Sequence, residues 1–233
     1  MILPRNTEKN AQIREERKKQ ILDAALTVYI RSGYHGTDMD AVAEEAGLAK
    51  GLLYYYYKTK KDLFAELYTW MFAEAYAFSE TLLTNDQGMN PLEQLAFYTY
   101  GMFCENKNNP RMMQFSMRVP FDAYAIFGPE EWAEGAAKSD LHRQALTAII
   151  QQGITQGMLP EMNASAAANS FWTVFVANSF EYSKLMAGQS KPVSGELALL
   201  RDVVQFGFQG LGLPFSKWNP ILEKVIAMKQ DNV

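Results

Sequence analysis

Cysteine and histidine are scarce in this chain, and their scarcity removes several chemistries at once. Cys104 stands alone, so no intrachain disulfide can form and a zinc ribbon is excluded. The two histidines, His35 and His142, lie far apart, and neither belongs to a pair with metal-ligand spacing. We therefore expect no metal. A Gly-x-Ser-x-Gly elbow, a P-loop and a dinucleotide glycine fingerprint are all missing, so we expect no cofactor and no catalytic residues. Cys104 reads as an apolar thiol rather than a nucleophile. Nor is there an uninterrupted apolar run of about 18 residues, the length that a helical membrane span needs. The opening Met-Ile-Leu-Pro-Arg-Asn-Thr-Glu has no apolar signal core. The expectation is a cytoplasmic protein with no membrane partner.

What is present is ordinary in bulk and informative in arrangement. The 233 residues, 48% hydrophobic and 21% charged, suffice for one large or two small domains with a sizeable core. Charge is unevenly spread. Residues 1–61 hold 11 Lys/Arg against 8 Asp/Glu, whereas residues 62–233 hold 11 against 18. A slightly basic front therefore precedes an acidic body. Arg14, Arg17, Lys18, Lys19, Lys60 and Lys61 make up most of the basic cluster. Alone it reads as a solvated helix face.

The stretch 37–63 changes that reading. Met39, Val42, Ala43 and Ala46 recur at the spacing of one helix face, with Thr37 or Asp38 available as a cap. Gly47 ends this helix, because glycine accepts a left-handed conformation at little cost. A second helix begins near Lys50, and Leu53 and Tyr57 face the first. The spacing turns Lys50, Tyr54 and Tyr55 outward. Leu-Leu-Tyr-Tyr-Tyr-Tyr has strand propensity, but the helical patterns on both sides leave it no partner strand. Helix, glycine turn, helix is the helix-turn-helix arrangement, whose second helix can enter a DNA major groove. Beside it, the basic cluster reads as an electrostatic footprint for phosphate.

Five segments carry a family resemblance: Ile-Leu-Asp-Ala-Ala-Leu (21–26), Gly-Tyr-His-Gly-Thr (33–37), Ala-Val-Ala-Glu-Glu-Ala-Gly-Leu (41–48), Lys-Gly-Leu-Leu-Tyr-Tyr-Tyr-Tyr (50–57) and Lys-Thr-Lys-Lys-Asp-Leu (58–63). In this order they resemble the DNA-binding domain of TetR-family transcriptional regulators, over about the first 65 residues. The remainder is similar in size and helical character only. The resemblance implies an all-α chain. A three-helix helix-turn-helix domain at 1–62, its first ten residues disordered, would precede a larger helical bundle at 63–233 for effector binding and dimerisation. It implies a repressor, released from palindromic double-stranded operator DNA by a small molecule. Residues 50–56 would lie in the major groove. Lys50 would contact a phosphate or guanine, Leu52 would offer a methyl contact, Tyr55 would touch a base or the backbone, and Gly51 would belong to the same DNA-binding set. Tyr54, Thr37 and Lys60 would hold phosphates. Ala49, Leu52 and Tyr57 depart from the usual family residues, and the first two leave the base contacts and operator sequence open.

The rest of the chain reads as helices over about 11–32, 60–83, from Pro91, 111–119, 129–157, 164–187, 194–211 and 219–230. Asn85-Asp86-Gln87-Gly88 would end the second, and 120–128 reads as a loop. Residues 164–187 are apolar on two sides, one including Phe171, Phe175, Tyr182 and Leu185, the other Trp172 and Phe180. Leu199, Val203, Gly207 and Gly210 follow on one side of 194–211. The resemblance makes these two helices the homodimer interface. Phe97, Tyr100, Met113, Met117, Phe121, Phe171 and Phe175, with Asn178 as a polar anchor, could line an adaptable pocket for a largely apolar or aromatic effector. They could equally fill a core. Glu93, Glu105, Asp122 and Glu181 are candidates for recognising a cation or plain surface charge. A helical adaptor that does not read DNA, and an enzyme housed in the body, remain the other readings.

Overall fold

The computed structural model describes residues 4–83, 88–139, 141–187 and 196–230; the first three residues and the expected stop at 85–87 lie outside the described residues. Among these, all regular structure is helical and no helix is long and apolar enough to cross a membrane. The chain divides into two compact units. The first comprises residues 1–73 and 114–134, the second 74–113 and 135–233. This departs from the expected division at residue 62, because two helices supply residues to both units.

The first unit contains α1 (Pro4–Gly36), α2 (Met39–Glu45), α3 (Lys50–Tyr56), the start of α4 (Lys60–Leu83) and most of α6 (Pro110–Ser139). Helix α1 begins earlier than the expected residue 11, so residues 4–10 are helical rather than frayed. Gly33 interrupts it with φ 70°, a conformation that an L side chain rarely adopts. Ile21, Leu22, Ala25, Leu26 and Tyr29 of α1 are buried with Leu63, Phe64, Leu67 and Tyr68 of α4. Tyr29, Phe64, Tyr68 and Phe115 meet edge to face, the geometry that aromatic quadrupoles favour.

Helix α6 corrects the reading of a loop at 120–128. The helix passes through Pro120 and breaks only at Gly128, where φ is 76°. Phe115, Val119, Ala123 and Ile126 form a buried stripe at three- and four-residue intervals. That stripe outweighs the hydrogen bond lost at the proline. It also sends Phe121 to solvent, 84% exposed.

The second unit holds the rest of α4, α5 (Pro91–Asn108), α7 (Leu141–Thr155), α8 (Ala164–Ala187), α9 (Glu196–Gly210) and α10 (Phe215–Gln230). The helix expected over 129–157 is thus two, with residue 140 outside the described residues. Asn90 caps α5: its side chain accepts from Leu92 and Glu93 amides, and Glu93 accepts from the Asn90 amide. Leu95, Phe97, Leu146, Ile150, Phe171, Leu200, Phe208, Trp218 and Leu222 are among the residues of one continuous apolar core.

Candidate nucleic-acid interface

Helices α2 and α3 are locked together from inside. Asp38 caps α2, its carboxylate accepting from the Ala41 amide at 2.7 Å. Met39, Val42, Ala43 and Ala46 are buried. Gly47 takes φ 64°, which lets the Leu48 amide reach back to the Ala43 carbonyl at 2.9 Å. Gln20 of α1 donates to the Ala46 carbonyl at 2.7 Å and pins the turn. Leu53 and Tyr57 point inward, 0% and 3% exposed, which fixes how far α3 is rotated. Burial pushes the Tyr57 phenol above its ordinary pKa.

That rotation puts a defined set of side chains outside. Lys50 and Gly51 are exposed, with Leu52 and Tyr54 each at 37% and Tyr55 at 65%. No heavy atom lies within 4 Å of where a Gly51 Cβ would stand, so the backbone there is open to close approach. The expected orientation of Lys50, Tyr54 and Tyr55 therefore matches the structure. Ala49 offers no side-chain cap, as its methyl dictates.

Two residues expected at phosphates are engaged within the fold. Thr37 is 1% exposed, and its hydroxyl donates to the Gly33 carbonyl at 2.7 Å. The break at Gly33 supplies that acceptor, so the hydroxyl closes the end of α1 and faces no phosphate. Lys60 is also turned inward. Its ammonium donates to the carbonyls of Tyr34 at 2.8 Å and Thr37 at 2.9 Å, and lies 4.4 Å from the centre of the Tyr34 ring. It fastens the start of α4 to the segment before α2. Thr59 and Asp62 cap α4 reciprocally, each accepting from the other's amide.

One participant was missed. Asp40, exposed in the first turn of α2, receives the Lys50 ammonium at 2.6 and 2.7 Å from its two oxygens. That hydrogen bond holds the Lys50 pKa above its ordinary value. Lys50 also lies 5.9 Å from the centre of the Tyr54 ring. Elsewhere in the basic cluster, Lys18 pairs with Glu66 at 2.7 Å and Lys61 with Glu131 at 3.4 Å.

The expected pocket residues fall in both units. Met117 and Phe121 belong to the first unit, and Phe97, Tyr100, Met113, Phe171, Phe175 and Asn178 to the second. Phe97 and Phe171 are core residues, while Tyr100 and Asn178 are half-buried. Asn178 donates to the Val174 carbonyl at 2.8 Å. Of the acids, Glu93 accepts from Lys224 at 2.6 Å and Asp122 accepts from the Tyr34 amide at 3.3 Å. The side chains of Phe180, Glu181, Tyr182, Leu185 and Leu199, and residues 194 and 195, lie outside the described residues. Between α8 and α9 runs an open groove of about 320 Å³, lined in part by Ala166, Ser170, Val174, Phe206 and Gly210. Phe206 is 62% exposed there.

Comparison with known proteins agrees with this geometry. Residues 21–67 match the family described as bacterial regulatory proteins, tetR family. The chain is 42% identical over 59 residues to the uncharacterized HTH-type transcriptional regulator YhgD of Bacillus subtilis, covering 25% of this chain and 31% of that one. It is 30% identical over 138 residues to the HTH-type transcriptional repressor KstR of Rhodococcus jostii, covering 59% of this chain and 62% of that one. In both cases it spans less than two thirds of the relative's length. Among solved structures, the transcriptional regulator FadR of Bacillus subtilis in complex with stearoyl-CoA superposes with a TM-score of 0.59 at 19% identity, covering 82% of this chain and 98% of that one. Its likeness is one of fold: an all-helical chain with a helix-turn-helix at the front. Residues 21–67 thus match the tetR family of bacterial regulatory proteins, and over the rest of the chain the likeness to solved structures is one of fold.

Proposed function

We propose that this protein is a cytoplasmic homodimeric repressor that binds a palindromic operator and leaves it when a small molecule occupies the second unit. The observation that carries the DNA-reading part is the outward face of α3. Lys50, Leu52, Tyr54 and Tyr55 are presented together because Leu53 and Tyr57 are buried beneath them. A cation, a methyl-bearing side chain and two phenols are groups that hold phosphates and read base edges. Two such heads on a dimer read half-sites about one helical turn apart.

The dimer reading is supported by α8 and α9. An exposed phenylalanine beside a groove of small residues suits a second copy packing closely on the same surface. The effector reading draws on the aromatic and methionine content of the second unit, where Tyr100 and Asn178 stay half-buried. Helix α4 runs unbroken from Lys60 to Leu83 and, with α6, offers a covalent path by which an effector would alter DNA affinity. An effector acts only insofar as it prefers the non-binding state.

Selection of random duplexes by the purified full chain, at two salt concentrations, tests the first part. An enriched inverted repeat is the expected result. Salt-sensitive retention without enrichment would leave only nonspecific phosphate binding and overturn the operator reading. The recovered operator then serves to screen effectors, beginning with stearoyl-CoA, the ligand held by the FadR neighbour. A saturating ligand that leaves operator affinity unchanged is not the effector.

A further inference from the structure

A carboxylate on a surface that meets DNA needs a reason, because it faces a dense row of phosphate charges. Asp40 is such a group: exposed, in the first turn of α2, and bonded to the first residue of α3. Its two oxygens lie 2.6 and 2.7 Å from the Lys50 ammonium, and both side chains are more than half exposed. The two therefore form an adjacent donor and acceptor open to solvent, not a pair sealed in the fold.

We propose that Asp40 and Lys50 act together as the reader of one guanine–cytosine base pair in each half-site. The argument is complementarity, and it rests on the DNA-binding reading given above. In the major groove, guanine presents two neighbouring acceptors, N7 and O6, and cytosine presents the N4 donor beside O6. An ammonium has three N–H donors and a carboxylate only acceptors. One ammonium N–H shared between the Asp40 oxygens leaves two, which match N7 and O6. The carboxylate beside it matches N4. An adenine–thymine pair interrupts the two acceptors with the adenine N6 donor, and so gives the ammonium one acceptor where guanine gives two. Asp40 also balances the Lys50 charge, which favours a contact to the neutral base edge over one to phosphate. Tyr54, whose ring lies 5.9 Å from the ammonium, borders it on the next turn of α3.

The test repeats the duplex selection with wild type, Asp40→Ala, Asp40→Asn and Lys50→Ala. Thermal unfolding and oligomeric state are checked first, and the exposed positions should leave both unchanged. The wild type should demand guanine–cytosine at one position of each half-site. Asp40→Ala should relax that position alone, by about tenfold in relative affinity, Asp40→Asn, which keeps an amide oxygen as acceptor, should relax it less, and Lys50→Ala should lose the guanine preference there. A second measurement uses the wild-type operator with that cytosine replaced by its analogue lacking the 4-amino group. The change should weaken wild type and leave Asp40→Ala indifferent. An unchanged motif in Asp40→Ala overturns the proposal. So does a uniform gain in affinity for all sequences, which would make Asp40 a simple electrostatic brake. If the wild type enriches no motif, the DNA-reading function itself fails, which is distinguishable from failure of this inference alone.

Discussion

The phenol oxygens of Tyr29 and Tyr68 stand 2.9 Å apart inside the first unit, sharing one hydrogen bond between α1 and α4. Both side chains are buried, at 0% and 1% exposure. Removing the Tyr29 hydroxyl strands that of Tyr68, which costs about 1–3 kcal/mol, whereas Tyr29 keeps Asp122 as a second partner when the Tyr68 hydroxyl is removed. Tyr29→Phe should destabilise the protein by that order and Tyr68→Phe by less, and the double variant should lose less than the two losses added. Urea unfolding of the four proteins closes the cycle, and additive losses would show that the hydroxyls act independently.

Burial also sets an alkaline limit. Desolvation, the largest cause in each case, pushes the pKa of Tyr29, Tyr57, Tyr68 and Tyr98 above the ordinary tyrosine value. Above about pH 10 the unfolded chain releases these protons while the folded chain keeps them. The folded state then binds more protons, so stability is full below pH 10 and falls as pH rises. Denaturant unfolding between pH 8 and 11 should show this fall, and Tyr29→Phe/Tyr68→Phe should show a shallower one. Equal slopes in both proteins would refute the assignment to this pair.

Lys60 is predicted to matter for structure first. Its ammonium holds two carbonyls and a ring, so Lys60→Met leaves two backbone acceptors short of a charged donor. The expected cost is about 1–3 kcal/mol. Operator affinity should fall along with the melting temperature, and a variant that lost affinity at unchanged stability would return Lys60 to the phosphate-contacting role.

The helix-turn-helix was legible because each of its signals is local. Gly47 ends α2, the apolar spacing fixes the inner faces, and the outward positions of Lys50 and Tyr55 follow from helix geometry alone. Helix α6 was not legible in the same way. Pro120 is a strong local stop signal, and only the packing of Phe115, Val119, Ala123 and Ile126 overrides it. The internal partners of Thr37 and Lys60 were not legible for a related reason. Their partners are backbone carbonyls exposed by the break at Gly33 and the approach of α4, which no spacing rule encodes. Asp40 escaped notice because its meaning depends on Lys50, ten residues away.

The two glycines of α9 should respond differently to alanine. A Cβ at Gly207 would stand 2.8 Å from the Phe171 ring, which is itself buried in the core, whereas nothing lies within 4 Å of a Cβ at Gly210. Alanine gains up to about 1 kcal/mol of helix propensity at an interior position. Overpacking costs about 1–3 kcal/mol and should win at Gly207. Gly207→Ala should therefore lower the melting temperature, and Phe171→Leu should partly restore it. Gly210→Ala should leave the melting temperature unchanged or slightly higher. Sedimentation of Gly210→Ala adds a test of the dimer reading, because a methyl in the α8–α9 groove should weaken self-association.

Reading and folding are separable on α3, since Tyr55 and Leu53 sit two residues apart on opposite faces. Tyr55 is 65% exposed and Leu53 is fully buried. Tyr55→Ala should change stability by less than about 0.5 kcal/mol, as surface substitutions do. Leu53→Ala should cost about 2–5 kcal/mol through the cavity it leaves. On the selected operator, fluorescence anisotropy should show that Tyr55→Ala binds about tenfold more weakly or worse, at an unchanged melting temperature. Wild-type affinity in Tyr55→Ala would mean that the outward face of α3 is not the surface that meets DNA.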